Sequence, residues 1–231
     1  ISLTNAVTLS STTGSIEFVG GTSTINGAQS FTISSTSGPV TFATAIGNST
    51  SLSSLSITTA GDISIGGNIT TVGTQTYSGP VVIAADATLS LSGGLTISDA
   101  ISVAGTGVGG NGAIVNTSGS NTIAGAVTLT AAATVKTVAG TLTFDVASGN
   151  GFTGSFDLTV DGAGNTNIYD PIATGTGGVI KNGSGTLNMT GANTYTGDTT
   201  LNAGALSFTN ITSNSLTINP GTTVLLGTSG V

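Results

Sequence analysis

The chain has 231 residues and is poor in charge: charged residues make up 5% of it, against about 25% in a typical soluble domain. Cys, His, Trp and Arg are absent and the net charge is −7, which excludes a disulfide scaffold, a Ser-His-Asp triad and a basic nucleic-acid-binding surface. The hydrophobic content of 37% is too high for a disordered tail, so the chain must fold and bury its Val, Ile and Leu residues.

Short apolar–polar–apolar triplets recur along the chain. This period-two alternation predicts half-buried strands, and the Gly, Asn, Ser and Asp residues between the triplets predict turns. No segment has helical spacing of apolar residues at length, so essentially no helix is expected. In chain order, the triplets are residues 7–9, 31–33, 40–42, 55–57, 63–65, 95–97, 127–129, 142–144, 187–189, 206–208 and 216–218.

Such short strands suit a parallel β-helix, in which each strand stacks on the equivalent strand one coil away. The spacing predicts an all-β, right-handed parallel β-helix (β-solenoid) with about 20–28 residues per rung and three strands per coil, in about eight to eleven rungs. We find no linker or change of composition, so residues 1–231 are expected to form a single β-solenoid segment. The chain has no signal peptide, no evident cap and no transmembrane segment, which favours an internal fragment of a longer protein.

A coarser repeat combines a G-x-Q-[ST]-aromatic stretch with a later G-P-V stretch. Its glutamines, Gln29 and Gln75, are 46 residues apart, which fits two rungs of about 23 residues. Outward Thr-x-Thr pairs such as Thr141 and Thr143 do not recur in one regular column of the sequence. We therefore interpret them as ordinary outward strand positions.

Residues 183–206 read GSGTLNMTGANTYTGDTTLNAGAL. This stretch resembles the autotransporter-associated β-strand repeat, with Lys181 at the position of the usual upstream lysine. Met189 and Asp198 are mild departures, because Leu and Gly are commoner there. The motif residues to which we assign a structural role are Gly185, Leu187, Gly191, Asn193, Tyr195, Gly197 and Gly204.

The resemblance implies a passenger segment of a secreted bacterial surface protein, in which the repeat lies in the solenoid and assists folding during export. Residues 20–100 more weakly resemble the repeats of filamentous-haemagglutinin-type adhesins. Within the motif, Gly191, Asn193 and Gly197 are expected to permit corner backbone. Tyr195 is expected to lay its ring over a neighbouring rung with its hydroxyl in water.

The densest group of oxygen ligands lies between residues 157 and 170. Calcium binds six to eight oxygens from carboxylates, amides and carbonyls, so this group is a calcium candidate. The alternative is a solvated turn, which we favour because neither the EF-hand spacing nor the GGxGxD repeat is present. The candidate ligands are Asp157, Asp161, Asn165, Asn167 and Asp170.

Catalysis is not expected, although polysaccharide lyases and hydrolases also use β-helices. A lyase of this type needs a basic residue, and only Lys136 and Lys181 are present. A glycosidase needs two acids about 5–9.5 Å apart, and Asp157 and Asp161 are the closest pair in sequence. A polysaccharide-active enzyme is therefore the third hypothesis.

The first hypothesis is a non-catalytic structural and adhesive segment of a large bacterial surface protein, forming an extracellular stiff stalk or fibre for cell-surface attachment. The second is a subunit of a self-assembling sheath, matrix or surface layer. The expected partners are neighbouring rungs of a longer chain, copies of the chain itself or surface polysaccharide. Nucleic acid is not an expected partner, and no cofactor beyond the candidate calcium is expected.

Overall fold

A computed structural model describes residues 1–19, 24–84 and 86–226 and confirms an all-β solenoid of parallel strands. The helical content of this part of the chain is one 3-10 turn, η1 (Val108–Gly110), and it contains no helix able to cross a bilayer. The strands are β1 Val7–Ser11, β2 Ile16–Phe18, β3 Ser30–Ser35, β4 Val40–Phe42, β5 Ser54–Thr59, β6 Ile63–Ile65, β7 Gln75–Ser78, β8 Val81–Ile83, β9 Leu89–Ser92, β10 Thr96–Ile97, β11 Ile101–Gly105, β12 Ile114–Ser118, β13 Ser120–Ile123, β14 Val127–Thr137, β15 Thr141–Phe144, β16 Phe152–Gly154, β17 Leu158–Asp161, β18 Asn165–Ile168, β19 Ile172–Ala173, β20 Val179–Lys181, β21 Thr186–Met189, β22 Thr199–Leu201, β23 Ala205–Phe208, β24 Leu216–Ile218 and β25 Thr223–Leu226.

One side of the rod, called here the ladder face, consists of β1, β3, β5 and β7 followed by β10, β13, β15, β18, β21, β23 and β25. Strand β10 lies beside β7, so the two runs follow one another along the rod. The remaining strands form a 14-stranded sheet over the other sides. Strand β14 turns from one side to the next, because its first residues pair with β16 and its last residues pair with β12.

The length of a rung follows from the register of the parallel pairs. Val7 pairs with Phe31, Ile101 with Val127 and Leu206 with Val224, which are offsets of 24, 26 and 18 residues. About ten rungs at about 4.8 Å give a rod about 50 Å long. The predicted range of 20–28 residues thus holds for most rungs but is too long for the last ones and for the pairing of Ile63 with Val81, an offset of 18 residues.

Among the described residues, the expected three strands per rung occur in the central rungs, whereas the first rungs have two strands and a bridge on the third side and the last rungs have two strands. Beyond β19, residues 190–198 cross the side formed upstream by β16 and β19 without forming a strand there. The right-handed sense of the coil and the division of the chain into domains stay predictions.

Inward side chains stack in columns that run along the rod and form its core. Almost every member is apolar and fully buried, and each such side chain contributes roughly 1.5–3 kcal/mol relative to exposure. One column consists of Ile25, Ile46, Ile69, Leu89, Ile114, Val135, Val160, Lys181 and Leu201. Its charged member, Lys181, belongs to the rung with the recognised motif.

Candidate functional site

The motif of residues 183–206 covers β21, the irregular segment 190–198, β22 and the start of β23. Leu187 is fully buried and lies between Thr166 of the preceding rung and Leu206 of the following one. The segment 190–198 forms no strand, and it is joined to its neighbours by single backbone hydrogen bonds, such as Thr194 N–H to the Ile172 carbonyl at 3.0 Å, and by side chains.

Tyr195 lies inside the rod, so the expectation of a solvated hydroxyl is wrong. The side chain is 0% exposed, and its hydroxyl is 2.7 Å from the Thr199 hydroxyl. Burial raises the pKa of Tyr195 above its usual value, although the hydrogen bond with Thr199 opposes this shift. A buried phenol needs such a partner, and the T-G-D-T spacing supplies one four residues later.

Asn193 joins three successive layers through its side-chain amide. Its Oδ1 accepts a hydrogen bond of 2.9 Å from the Ile172 amide, and its Nδ2 donates one of 2.7 Å to the Asn210 carbonyl. Among the described residues, only glycines have positive φ. Asn193 therefore does not adopt the left-handed backbone conformation of a tight corner, and that prediction is wrong. Its side-chain amide instead adds two hydrogen bonds between rungs where the chain forms no strand.

The motif glycines serve two different purposes. Gly204 has φ +74° at the turn before β23, a conformation that side chains other than glycine rarely adopt. Gly185, Gly191 and Gly197 have no such φ, but a Cβ on any of them would overlap backbone of the preceding rung. All four motif glycines are therefore required by the close approach of rungs, and Gly204 is required by its positive φ as well.

Lys181 is 2% exposed and points its ammonium into a turn of the rod. Its Nζ donates to the carbonyls of Asn182 and Gly183, at 2.8 Å for Gly183, and lies 3.5 Å from the Ala203 carbonyl in the next rung. Burial lowers the pKa of Lys181 to about 8, while the Asp161 carboxylate acts in the opposite direction.

Asn116 makes equivalent hydrogen bonds three rungs upstream. Its Nδ2 donates to the carbonyls of Gly119, in its own turn, and Ala139, in the next rung. Ala139 precedes Gly140 as Ala203 precedes Gly204, and both glycines have φ +74°. An inward donor thus links the carbonyls of two stacked glycine turns, and Lys181 is the charged version of it.

The five calcium candidates are spread around two sides of one rung. Asp157 lies before β17 and Asp161 ends that strand, whereas Asn165 and Asn167 lie in β18 and Asp170 follows it. Several of their oxygens already have donors. Asp157 accepts from the Gly178 amide at 2.7 Å, Asn165 from the Thr186 amide at 3.2 Å and Asp170 from the Val146 amide at 2.6 Å.

Asp161 forms an ion pair with Lys136, with Nζ and Oδ2 3.4 Å apart. Within residues 1–19, 24–84 and 86–226, no three His, Cys, Asp or Glu side chains form a group suited to a metal ion. No two of the five candidate side chains share a hydrogen-bond or ion-pair partner among the described residues. Calcium binding stays a prediction.

A polar groove that the sequence did not indicate lies beside Asp198. It encloses about 660 Å³ and is lined by Asp157, Thr176, Ile180, Thr196, Gly197, Asp198, Thr200 and Asn214. Asp198 Oδ1 accepts from the Ser215 hydroxyl at 2.8 Å and from the Asn214 amide at 3.0 Å. These two hydrogen bonds lower the pKa of the Asp198 carboxyl.

Outward side chains on the ladder face form continuous polar columns, and Thr141 and Thr143 lie in them as ordinary outward strand positions. Rung lengths vary, so residues that stack directly on one another are not evenly spaced in the sequence. The main column consists of Thr8, Thr32, Ser56 and Thr76 in the first run of strands and of Thr96, Thr122, Thr143, Asn167, Asn188 and Ser207 in the second. A parallel column consists of Ser120, Thr141, Asn165 and Thr186.

Between these columns runs a shallow trough of about 330 Å³. Its lining side chains are Thr141, Asn165, Asn167, Thr186, Asn188, Ser207 and Leu225. Hydroxyl and amide groups of successive rungs therefore face one elongated depression on the rod surface.

Comparisons with known proteins agree with this architecture. Residues 179–208 match the family model of the passenger-associated-transport-repeat, which includes the whole predicted motif of residues 183–206. Over 67 residues, the chain is 43% identical to a protein of Brucella suis biovar 1 (strain 1330) named "Adhesin BmaC autotransporter". That match covers 29% of this chain and 2% of the adhesin. No solved structure matches the chain.

The fold and the motif thus define a β-solenoid that carries a passenger-associated repeat. The resemblance expected from the sequence is confirmed as a similarity: the chain carries a passenger-associated repeat and is similar over 67 residues to an autotransporter adhesin.

Proposed function

We propose that this segment is a non-catalytic structural and adhesive part of a large bacterial surface protein. It forms a stiff extracellular stalk that serves attachment at the outer cell surface. The observation that carries the proposal is the uninterrupted stacking of rungs up to and through the passenger-associated repeat at residues 179–208. The adhesin named above supports the same role.

Stiffness is supported by the way in which each rung is held. Parallel strands bond every rung to the next on at least two sides, and a core of mostly apolar columns passes through the rungs. Bending such a rod would open backbone hydrogen bonds and core contacts together. A stalk that projects through a surface layer needs this kind of resistance.

A non-catalytic role is supported by the state of the carboxylates. Asp157, Asp170 and Asp198 accept hydrogen bonds from neighbouring amides or hydroxyls, and Asp161 is paired with Lys136. A catalytic pair of acids needs one carboxyl with a raised pKa, whereas the pKa of Asp198 is lowered. These carboxylates make the hydrogen bonds and the ion pair that acidic side chains commonly make at turns and strand ends.

Immuno-electron microscopy of intact source cells tests the proposal, with antibody raised against residues 101–208 and cells lacking the gene as control. Label on separate projecting fibres is the expected result. Label inside the cell, or in a continuous coat, would contradict the stalk.

A further inference from the structure

We infer that the trough on the ladder face binds a linear, uncharged polysaccharide that lies along the axis of the rod. This inference rests on the proposed adhesive function, because it names the chemistry that the stalk would attach to. It is carried by the trough geometry, by the absence of charge along its walls and by an exposed aromatic ring two residues after a lining asparagine.

The walls of the trough present the groups that sugars bind. Thr141, Asn165 and Thr186 lie on one side, and Asn167, Asn188 and Ser207 lie on the other. Hydroxyls and side-chain amides both donate and accept hydrogen bonds, so each can pair with a sugar hydroxyl in either sense. The side chains stand on a parallel sheet and are therefore held in fixed positions before any ligand arrives, which lowers the entropic cost of binding.

The direction of the trough matches a polymer. Equivalent side chains repeat once per rung, about 4.8 Å apart along the rod. This is close to the length that one sugar unit occupies in an extended chain. Consecutive units would therefore meet the same arrangement of hydroxyl and amide groups, and affinity should rise with chain length.

Tyr169 supplies an apolar surface outside the residues that line the trough, two residues after Asn167. It follows the end of β18, and its exposure continues the outward positions of Asn165 and Asn167. Its ring is 43% exposed, whereas Tyr77 and Tyr195 are buried. An exposed aromatic ring beside hydroxyl-binding groups suits the apolar face of a sugar ring.

Charge favours a neutral ligand over an anionic one. Every trough-lining residue is uncharged. The residue that matches Tyr169 in the preceding rung is Asp145, because Phe144 pairs with Ile168. A polyanion would meet this carboxylate and a chain of net charge −7, which costs binding energy at moderate ionic strength.

Affinity electrophoresis of the 231-residue chain tests the inference, in gels containing soluble neutral polysaccharides (mixed-linkage β-glucan, xylan, galactomannan and dextran). Alginate and hyaluronan serve as anionic comparisons. The expected result is retardation by at least one neutral polymer and by neither anionic one. Oligosaccharides of two and six units from that polymer are then titrated by calorimetry, and the longer one should bind at least tenfold more tightly.

Two variants locate the site. Tyr169→Ala, and Asn167→Ala combined with Asn188→Ala, should each weaken binding by about tenfold or more, since each removes contacts whose loss is typically worth that factor. Phe156→Ala is the matched control: Phe156 is 42% exposed but lies between β16 and β17, away from the ladder face. The affinity of the Phe156→Ala variant for the neutral polymer should be unchanged.

Three results would overturn the inference: no retardation by any neutral polymer, stronger retardation by the anionic polymers, or full affinity in both trough variants. Binding to branched glycans released from glycoproteins without binding to any linear polymer would also contradict it. The labelling of intact cells is independent of these gels. Fibre labelling without sugar binding would remove the inference and leave the stalk in place, whereas absence of surface label would remove the stalk itself.

Discussion

Individual polar residues inside the rod bind the repeat motif to the neighbouring rungs through side-chain hydrogen bonds. Tyr195 and Asn193 are buried and bonded, and removing one member of such a pair typically costs about 1–3 kcal/mol because the partner is left without a bond. Lys181 differs from them, because it carries a charge into the core. Its ammonium donates hydrogen bonds to carbonyls of two stacked turns.

Stability should depend on pH through Lys181. Its pKa in the folded chain is about 8 against 10.5 for a free lysine, so between these values the unfolded chain binds more protons. The free energy of unfolding therefore rises as pH rises through this window, by about 2 kcal/mol between pH 7.5 and 9.5. Urea unfolding at several pH values measures this rise.

Lys181→Met should abolish the rise, because no group at that position then titrates. Lys136→Met is the matched control: it removes the other lysine, which is partly exposed and paired with Asp161, and should leave the rise in place. The range ends at pH 9.5 because the raised pKa values of Tyr77 and Tyr195 reduce stability at higher pH. An identical rise in Lys181→Met would show that another group is responsible.

At the scale of elements, strands and their inward faces could be predicted from the sequence, whereas register could not. All eleven apolar–polar–apolar triplets overlap strands. The G-P-V part of the coarser repeat also aligns correctly, since Val40, Ile63 and Val81 share one column. The glutamine part does not, because Gln75 stacks below Leu55 and Phe31, two residues out of step with Gln29.

The reason is physical. Alternation decides which side chains point inward, but the pairing of two rungs also depends on the lengths of the turns between them. A shift of two residues keeps the same side chains inside, so the hydrophobic pattern cannot detect it. The trough on the ladder face depends on register across several rungs, and for that reason the sequence did not indicate it.

Rung packing at the motif should depend on Gly191. Its φ lies outside the left-handed region, but a Cβ there would overlap the backbone of Asp170 and Pro171. Gly191→Ala should therefore lower the free energy of unfolding by about 1–3 kcal/mol, the usual cost of overpacking. Gly14→Ala is the control, because a Cβ there would lie 3.5 Å from the Ser11 hydroxyl, an ordinary contact.

Urea denaturation of both variants measures the difference. Gly14→Ala should be within about 0.5 kcal/mol of the parent chain or slightly more stable, since alanine restricts the unfolded chain. Equal stability of the two variants would show that the rungs separate enough to accept a methyl group at residue 191, and the close approach would not explain that glycine.

At the scale of the whole molecule, the rod is a one-dimensional array in which each rung contacts only its neighbours. A rung in the middle has a neighbour above and below it, whereas among the described residues β1 pairs only with β3 and β25 only with β23. Side chains of β24 are exposed throughout. Local opening should therefore require less free energy in the outer rungs than in the central ones.

Hydrogen exchange followed by mass spectrometry tests this gradient. Peptides from β11 to β18 should exchange on the order of 100-fold more slowly than peptides from β24 and β25. In Gly191→Ala, protection should fall in β19 to β23 and remain unchanged in β3 to β6, because the disturbance passes only between adjacent rungs. A uniform loss of protection along the rod would mean that the solenoid opens as one cooperative unit, and nearest-neighbour contacts would then not account for its stability.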